Sequence, residues 1–194
     1  MFAELLRDRL LGIATLSDRQ CSLLEAHFEA MLRWNRRLSL TTVTGLEEAV
    51  ERHYAESLFL AAALPQGPLT IADIGSGPGF PGIPVAVFRP DCTVYAIESH
   101  QRKAVFLREA SRDLPNVKVV AQRAEAVGMQ VDRAISRAIS YSDLVPVLKL
   151  ANAASLLTGA EAPPDEMGFA WDPPASLPWG RQRYLRTGRR TRFT

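Results

Sequence analysis

Apolar positions in the first third of the chain follow a helical period. Phe2 to Leu11 is a short helical pattern closed by Gly12. Leu24, Phe28, Met31, Leu32 and Leu38 predict an amphipathic helix from Asp18 to about Leu38. Ser17 and Gln20 have the spacing of a capping box at its start. Arg33, Arg36 and Arg37 fall near its end, where the helix dipole favours cations. Leu40 to Val43 reads as extended or irregular, and Leu46 to Leu64 predicts a second long helix, ended by Pro65, Gly67 and Pro68. Residues 1–64 are therefore expected to form a helical cap and residues 65–194 the rest of a single compact unit.

From Leu69 the pattern changes to short strands alternating with helices. Leu69 to Ile74 reads as a buried strand, followed by a glycine-rich turn and a helix over Ile83 to Phe88. Further strands are expected at Thr93–Glu98, Val117–Ala121 and Val131–Ile135, with helices at Gln101–Asp113 and about Ser142–Asn152. A fifth strand is expected to start at Ser155–Leu157. Beyond Gly159 five prolines crowd a stretch that reads as loop, with short strands around Phe169–Trp171 and Tyr184-Leu185. Such alternation predicts an α/β fold with a parallel sheet and right-handed crossovers.

The turn after the first strand carries the candidate chemistry. Asp73 ends the strand, and Gly75, Gly77 and Gly79 let the backbone turn sharply and approach a ligand closely. Gly77 to Gly82 fits GxGxxG, a dinucleotide fingerprint, while Asp73-x-Gly75-x-Gly77-x-Gly79 fits the acid-x-GxGxG loop of S-adenosylmethionine-dependent methyltransferases. Asp73 can meet the cationic amino acid end of S-adenosylmethionine, whereas a diphosphate would be repelled there. Pro78, Pro81 and Pro84 remove N–H donors that a pyrophosphate would want. Glu98 lies 23 positions after Gly75 and can accept ribose hydroxyls in either reading. The residues favour S-adenosylmethionine, with a dinucleotide or a structural turn as alternatives.

Composition narrows the class. At 194 residues with 47% hydrophobic content, the chain can bury its own core without disulfides or metal. Cys21 and Cys92 lie in unrelated segments, which fits reduced thiols in the cytoplasm and no metal site. The first residues do not read as a signal peptide, and no apolar run is long enough for a membrane span. Net charge is +2, but residues 181–194 hold six arginines and no acid, leaving the first 180 residues four charges negative. A basic end on a mildly acidic body suggests a polyanion partner, or else a solvated tail.

The chain resembles the glucose-inhibited division protein B family, the bacterial 16S rRNA guanine-N7 methyltransferases. The matching segments include Trp34 to Leu38, Arg52-His53 with Glu56-Ser57-Leu58, the loop Asp73 to Pro84, Ile97-Glu98-Ser99, Arg123-Ala124-Glu125 and Ile135-Ser136-Arg137-Ala138. The resemblance implies a Rossmann-like class I methyltransferase fold with an N-terminal helical cap. It implies that Gly75 and Phe80 line the S-adenosylmethionine site, Glu98 binds ribose, and Ala124 and Glu125 flank the adenine. Arg137 would sit at the mouth, between cofactor and incoming base. Three positions depart from the family: Ser39 where Asn is usual, Glu56 where Asp is usual, and Thr158 where a lysine is usual.

That reading makes the substrate 16S rRNA, free or in the small subunit, and the protein a cytoplasmic monomer. Guanine N7 carries an in-plane lone pair and loses no proton, so no catalytic base is needed and positioning dominates. Arg137 is the nearest candidate for a catalytic residue, and His27, His53 and His100 are expected to be structural or on the surface. The Asp/Asn-Pro-Pro-aromatic tetrad of amine methyltransferases is missing after the fourth strand, and neither cysteine has the setting of a cytosine-C5 nucleophile. RNA contacts are expected from Arg33, Arg36, Arg37, Arg52, Arg123, Arg137 and the arginine-rich end, including Arg181 and Arg183. The alternatives are a non-catalytic RNA- or ribosome-binding protein and a small-molecule methyltransferase.

Overall fold

The computed structural model describes residues 1–191; Arg192, part of the expected basic end, lies outside them. Helix α1 (Phe2–Arg9) and helix α2 (Asp18–Asn35) begin the cap. Ser17 and Gln20 form the capping box in both directions, and the Gln20 amide donates to the Val87 carbonyl at 3.1 Å. Helix α2 stops before the expected Leu38 because Asn35 replaces the next turn. Its Oδ1 accepts from the Leu40 and Thr41 N–H groups, and its Nδ2 donates to the Thr41 carbonyl.

The second cap helix covers 46–62 but is not uniform. Helices α3 (Leu46–Ala49) and α4 (Glu56–Ala62) flank a π-helical segment, Val50–Ala55. The widened turn buries His53 and Tyr54 together. Tyr54 packs edge-on against Phe2, Phe28 and Phe80, so cap and glycine loop share one apolar cluster.

Parallel strands β1 (Thr70–Ile74), β2 (Thr93–Ile97), β3 (Val117–Val120), β4 (Val131–Arg137) and β5 (Ala151–Thr158) alternate with helices α5 (Gly82–Phe88), α6 (Gln101–Ala110) and α7 (Tyr141–Leu144). Strands β6 (Phe169–Trp171), β7 (Ala175–Ser176) and β8 (Tyr184–Arg190) complete the sheet. The order is β3-β2-β1-β4-β5-β8-β6, with β7 also paired to β8. Strand order reverses between β1 and β4, and the carboxyl ends on either side of that point are where an open α/β sheet receives a ligand.

Two expectations fail, each for a local reason. The helix expected over Ser142–Asn152 is one turn followed by a 3₁₀ turn, Leu148–Leu150. Pro146 has no N–H and its ring blocks a continued helix, and β5 already starts at Ala151. Beyond Gly159 the short strands expected at Phe169–Trp171 and Tyr184-Leu185 are present as β6 and the start of β8, but the loop reading fails for the rest of β8: it is seven residues long and runs antiparallel to β5 from Arg189 opposite Ala153 to Tyr184 opposite Thr158. Gly188 makes this possible, because a Cβ there would stand 2.7 Å from the Trp171 ring.

Candidate functional site

Strands β1 and β2 place two carboxylates side by side at the switch edge. Glu98 follows β2; its Oε2 accepts from Gly77 N–H at 2.9 Å and its Oε1 from His100 N–H at 2.8 Å. These bonds fix the carboxylate against the glycine loop. Gly75, with φ +65°, Ala124, Glu125 and Arg123 line one cavity of about 210 Å³ with Glu98. Three segments widely separated in sequence, at Gly75, Glu98 and Arg123 to Glu125, thus meet where a nucleoside would lie. Ile139, which had not been singled out, closes this cavity; a Cβ on Gly75 would come within 2.3 Å of its Cδ1.

Asp73 lies one layer deeper. It is fully buried, and its Oδ2 accepts from Ser76 Oγ at 2.5 Å and from Gly82 N–H at 3.0 Å. Its Oδ1 has no partner among the described residues. Burial pushes the carboxyl up to about 7, against the lowering pull of Ser76, Gly82 and Arg137. An orphaned buried oxygen beside the loop is the feature that a cationic ligand group would satisfy. Gly82 allows this packing, since a Cβ there would meet Asp73 Oδ2 at 2.4 Å. Gly77 serves through its N–H to Glu98, and Gly79, at φ +99°, sits against Ile83 and His27.

Phe80 and Arg137 form a second group rather than part of the nucleoside cavity. Phe80 is buried, with His53 stacked on its ring at 4.6 Å and the Arg137 guanidinium over it at 5.6 Å. Arg137 donates to the Arg52 carbonyl and, at 2.6 Å, to His53 Nδ1. Burial lowers Arg137 to about 10, with Glu56 opposing and Arg183 and Arg52 adding to the drop, so it stays cationic at neutral pH. Burial, with Arg137 and Arg52 nearby, brings His53 down to about 3, so it is neutral. A neutral ring that accepts at Nδ1 carries its hydrogen on Nε2 and donates to Thr41 Oγ1, 2.9 Å away. His53 therefore holds Arg137 in place; its pairing with Arg52 in the sequence was the available signal. His27 bridges Tyr54 and the Pro78 carbonyl, and His100 caps α6, as structural residues do.

The arginines expected to meet RNA divide sharply. Arg33, Arg36, Arg37 and Arg102 line a cavity of about 520 Å³ with Trp34 and Leu38, and none makes a side-chain bond among the described residues. Arg123 and Arg181 are likewise exposed. Arg52 pairs with Glu48 at the surface. Arg183 is not a free arm: its Nε and Nη2 grip the buried carboxylate of Glu56 at 3.1 and 2.5 Å. Arg186 donates to Thr158 Oγ1 and the Ala160 carbonyl, which puts a cation beside the position where the family usually has lysine. Arg190 donates to the carbonyls of Ala151 and Leu148. The solvated-tail alternative therefore fails for residues 184–190.

Comparison with known proteins gives a consistent result. The family model described as rRNA small subunit methyltransferase G matches residues 20–159. A ribosomal RNA small subunit methyltransferase G from Nitrosomonas europaea is 41% identical over 142 residues, covering 70% of this chain and 65% of the relative. Its counterpart from Chromobacterium violaceum is 38% identical over 139 residues, with the same coverage. The chain thus spans somewhat under two thirds of the length of these relatives. Among solved structures, magnesium protoporphyrin IX methyltransferase from Synechocystis PCC 6803 superposes with a TM-score of 0.61 over 92% of this chain and 99% of that one, at 14% identity. A SAM-dependent methyltransferase from Aquifex aeolicus gives 0.56 at 16% identity, over 72% of this chain and 91% of that one. The sheet is therefore the Rossmann-like one of class I methyltransferases.

Proposed function

This chain belongs to the rRNA small subunit methyltransferase G family, and from that premise we propose that it transfers a methyl group from S-adenosylmethionine to N7 of a guanine in 16S rRNA, in the cytoplasm. The observation that carries the reading is the switch edge: Glu98 is locked by two backbone N–H groups onto a cavity that Gly75, Ala124 and Glu125 share. S-adenosylmethionine, when bound, supplies a methyl group on a positively charged sulfur. The residues present fit it: Glu98 for the ribose hydroxyls, the Ala124-Glu125 turn for the adenine, and the partnerless Asp73 Oδ1 for the cationic amino acid end.

The chain's own contribution is positioning. Both ring nitrogens of His27 and of His53 are occupied, so neither is placed to take a proton. Guanine N7 asks for none, because its lone pair is already free. Arg137, cationic and held by three groups, supplies a fixed hydrogen-bond donor at the edge, and fixed donors lower barriers without reorganising. Arg33, Arg36, Arg37 and Arg102 supply phosphate contacts, with Trp34 beside them as a stacking surface.

Incubation with labelled S-adenosylmethionine and either small ribosomal subunits or naked, unmodified 16S rRNA tests the reading. Label is expected on one guanine, mapped to N7 by strand scission at 7-methylguanine. Cofactor binding without transfer to either RNA would overturn it in favour of a non-catalytic RNA-binding protein.

A further inference from the structure

Beyond the Phe80 ring from the glycine loop, three arginines from separate segments line one small cavity. Arg52 comes from the π-helical segment, Arg137 from the end of β4 and Arg183 from the approach to β8. With Thr41, Thr42 and His53 they enclose about 180 Å³, and no acid is among the lining residues. The cavity shares no residue with the nucleoside cavity. The two are linked through Ala138 and Ile139, which line a third cavity between them.

The donors left over face a common need. Arg183 spends Nε and Nη2 on Glu56, and its Nη1 has no partner among the described residues. Thr41 Oγ1 already accepts from Val43 N–H and from His53, so its own hydrogen is left to donate. Three guanidinium charges set against Glu56 and Glu48 leave one positive charge in surplus. One phosphodiester carries one negative charge, and a guanidinium fork matches its paired oxygens. The mutual repulsion of Arg52, Arg137 and Arg183 is itself relieved by such a group.

We propose that this cavity binds a single phosphodiester group of the RNA, one cavity away from the nucleoside site, so that the target base is held between an anchored phosphate and the cofactor. The assignment rests on the RNA substrate proposed above. It adds Thr41 and Thr42 to the RNA contacts, sets Arg52 on the same phosphate, and gives Arg183 two tasks, to hold Glu56 and to present Nη1.

The test uses the full chain with ¹⁵N-labelled arginine side chains, titrated with inorganic phosphate at fixed ionic strength, with and without saturating S-adenosylmethionine. A saturable shift of the Arg137 and Arg183 resonances that survives the cofactor, and is lost in Thr42→Glu, is expected. No saturable shift would overturn the proposal. A shift abolished by the cofactor would also overturn it, because the cavity would then serve the cofactor's carboxylate. With single-stranded RNA, Arg52→Gln is expected to reduce the slope of log affinity against log salt by about 0.7, one single-strand phosphate contact. An unchanged slope would remove the assignment to RNA. Neither readout uses methyl transfer, so failure here and failure of the proposed reaction are distinguishable.

Discussion

Arg33, Arg36 and Arg37 at the end of α2 reach solvent without a partner among the described residues, whereas Arg183, Arg186 and Arg190 at the other end of the chain are each bonded to the protein around them. In sequence the two clusters look alike, each a run of arginines without acids. What separates them is the partner: two carbonyls for Arg190, a hydroxyl and a carbonyl for Arg186, a buried carboxylate for Arg183. Backbone carbonyls leave no mark in a sequence. A charge count thus overstates the basic end as a binding surface, and the cap, whose charge is modest, carries a cluster of open cations at the end of α2.

The contrast breaks first at Glu56. This carboxylate is 3% exposed and stands between Arg183, in bidentate contact, and Arg137 at 3.8 Å. Glu56→Ala leaves two part-buried cations facing each other, so unfolding free energy is expected to fall by about 3 kcal/mol. Denaturant titration measures this; a loss below about 1 kcal/mol would show that the C-terminal arginines are no more structural than those of the cap.

A triple change, Arg33→Gln with Arg36→Gln and Arg37→Gln, sharpens the contrast from the other side. Stability is expected to stay within about 0.5 kcal/mol. Affinity for single-stranded RNA is expected to fall by about one to two orders of magnitude at physiological salt, with a shallower salt slope. Arg190→Ala is the matched control. It strips partners from the carbonyls of Ala151 and Leu148 and should cost about 1–2 kcal/mol of stability with the slope unchanged. If Arg190→Ala moved the slope as the triple change does, the division would collapse.

The same distinction explains what could be read from the chain beforehand. The strand–glycine–helix unit was legible because the chemistry of Asp73, Gly75 and Glu98 is local: an acid ends a strand and the turn needs φ > 0. Phe80 is expected in the site by resemblance alone; it is buried beneath Arg137 and His53 and does not line the nucleoside cavity. Tyr184-Leu185 was legible as a short strand, but the rest of β8 was not, because its strand pattern is carried by arginines, of which Arg186 is buried, and by Gly188 opposite Trp171. His53, expected to be structural or on the surface, is buried. Its hold on Arg137 depends on a π-helical turn that no periodicity announces.

Arg137 stands between the two arginine classes, part-buried and facing Glu56 only at 3.8 Å, and its field reaches Asp73. The folded pKa of Asp73, about 7, lies above the value near 4 of an unfolded chain. Between those values the folded state holds more protons than the unfolded one, so Asp73 lowers stability as pH rises from about 4 to 7. A cationic ligand end reverses the preference, because it favours the ionised carboxylate. S-adenosylmethionine affinity should therefore rise by about tenfold from pH 6 to pH 8, following the ionised fraction of a group titrating near 7. Asp73→Asn cannot ionise; its affinity should be weaker and flat with pH, and its stability should no longer decline across the pH 4–7 window. Calorimetric titration at several pH values reads the first effect and denaturant melts the second. A flat profile in the unsubstituted protein would mean that the partnerless Oδ1 never meets the cofactor, and that Asp73 serves only to hold Ser76 and Gly82.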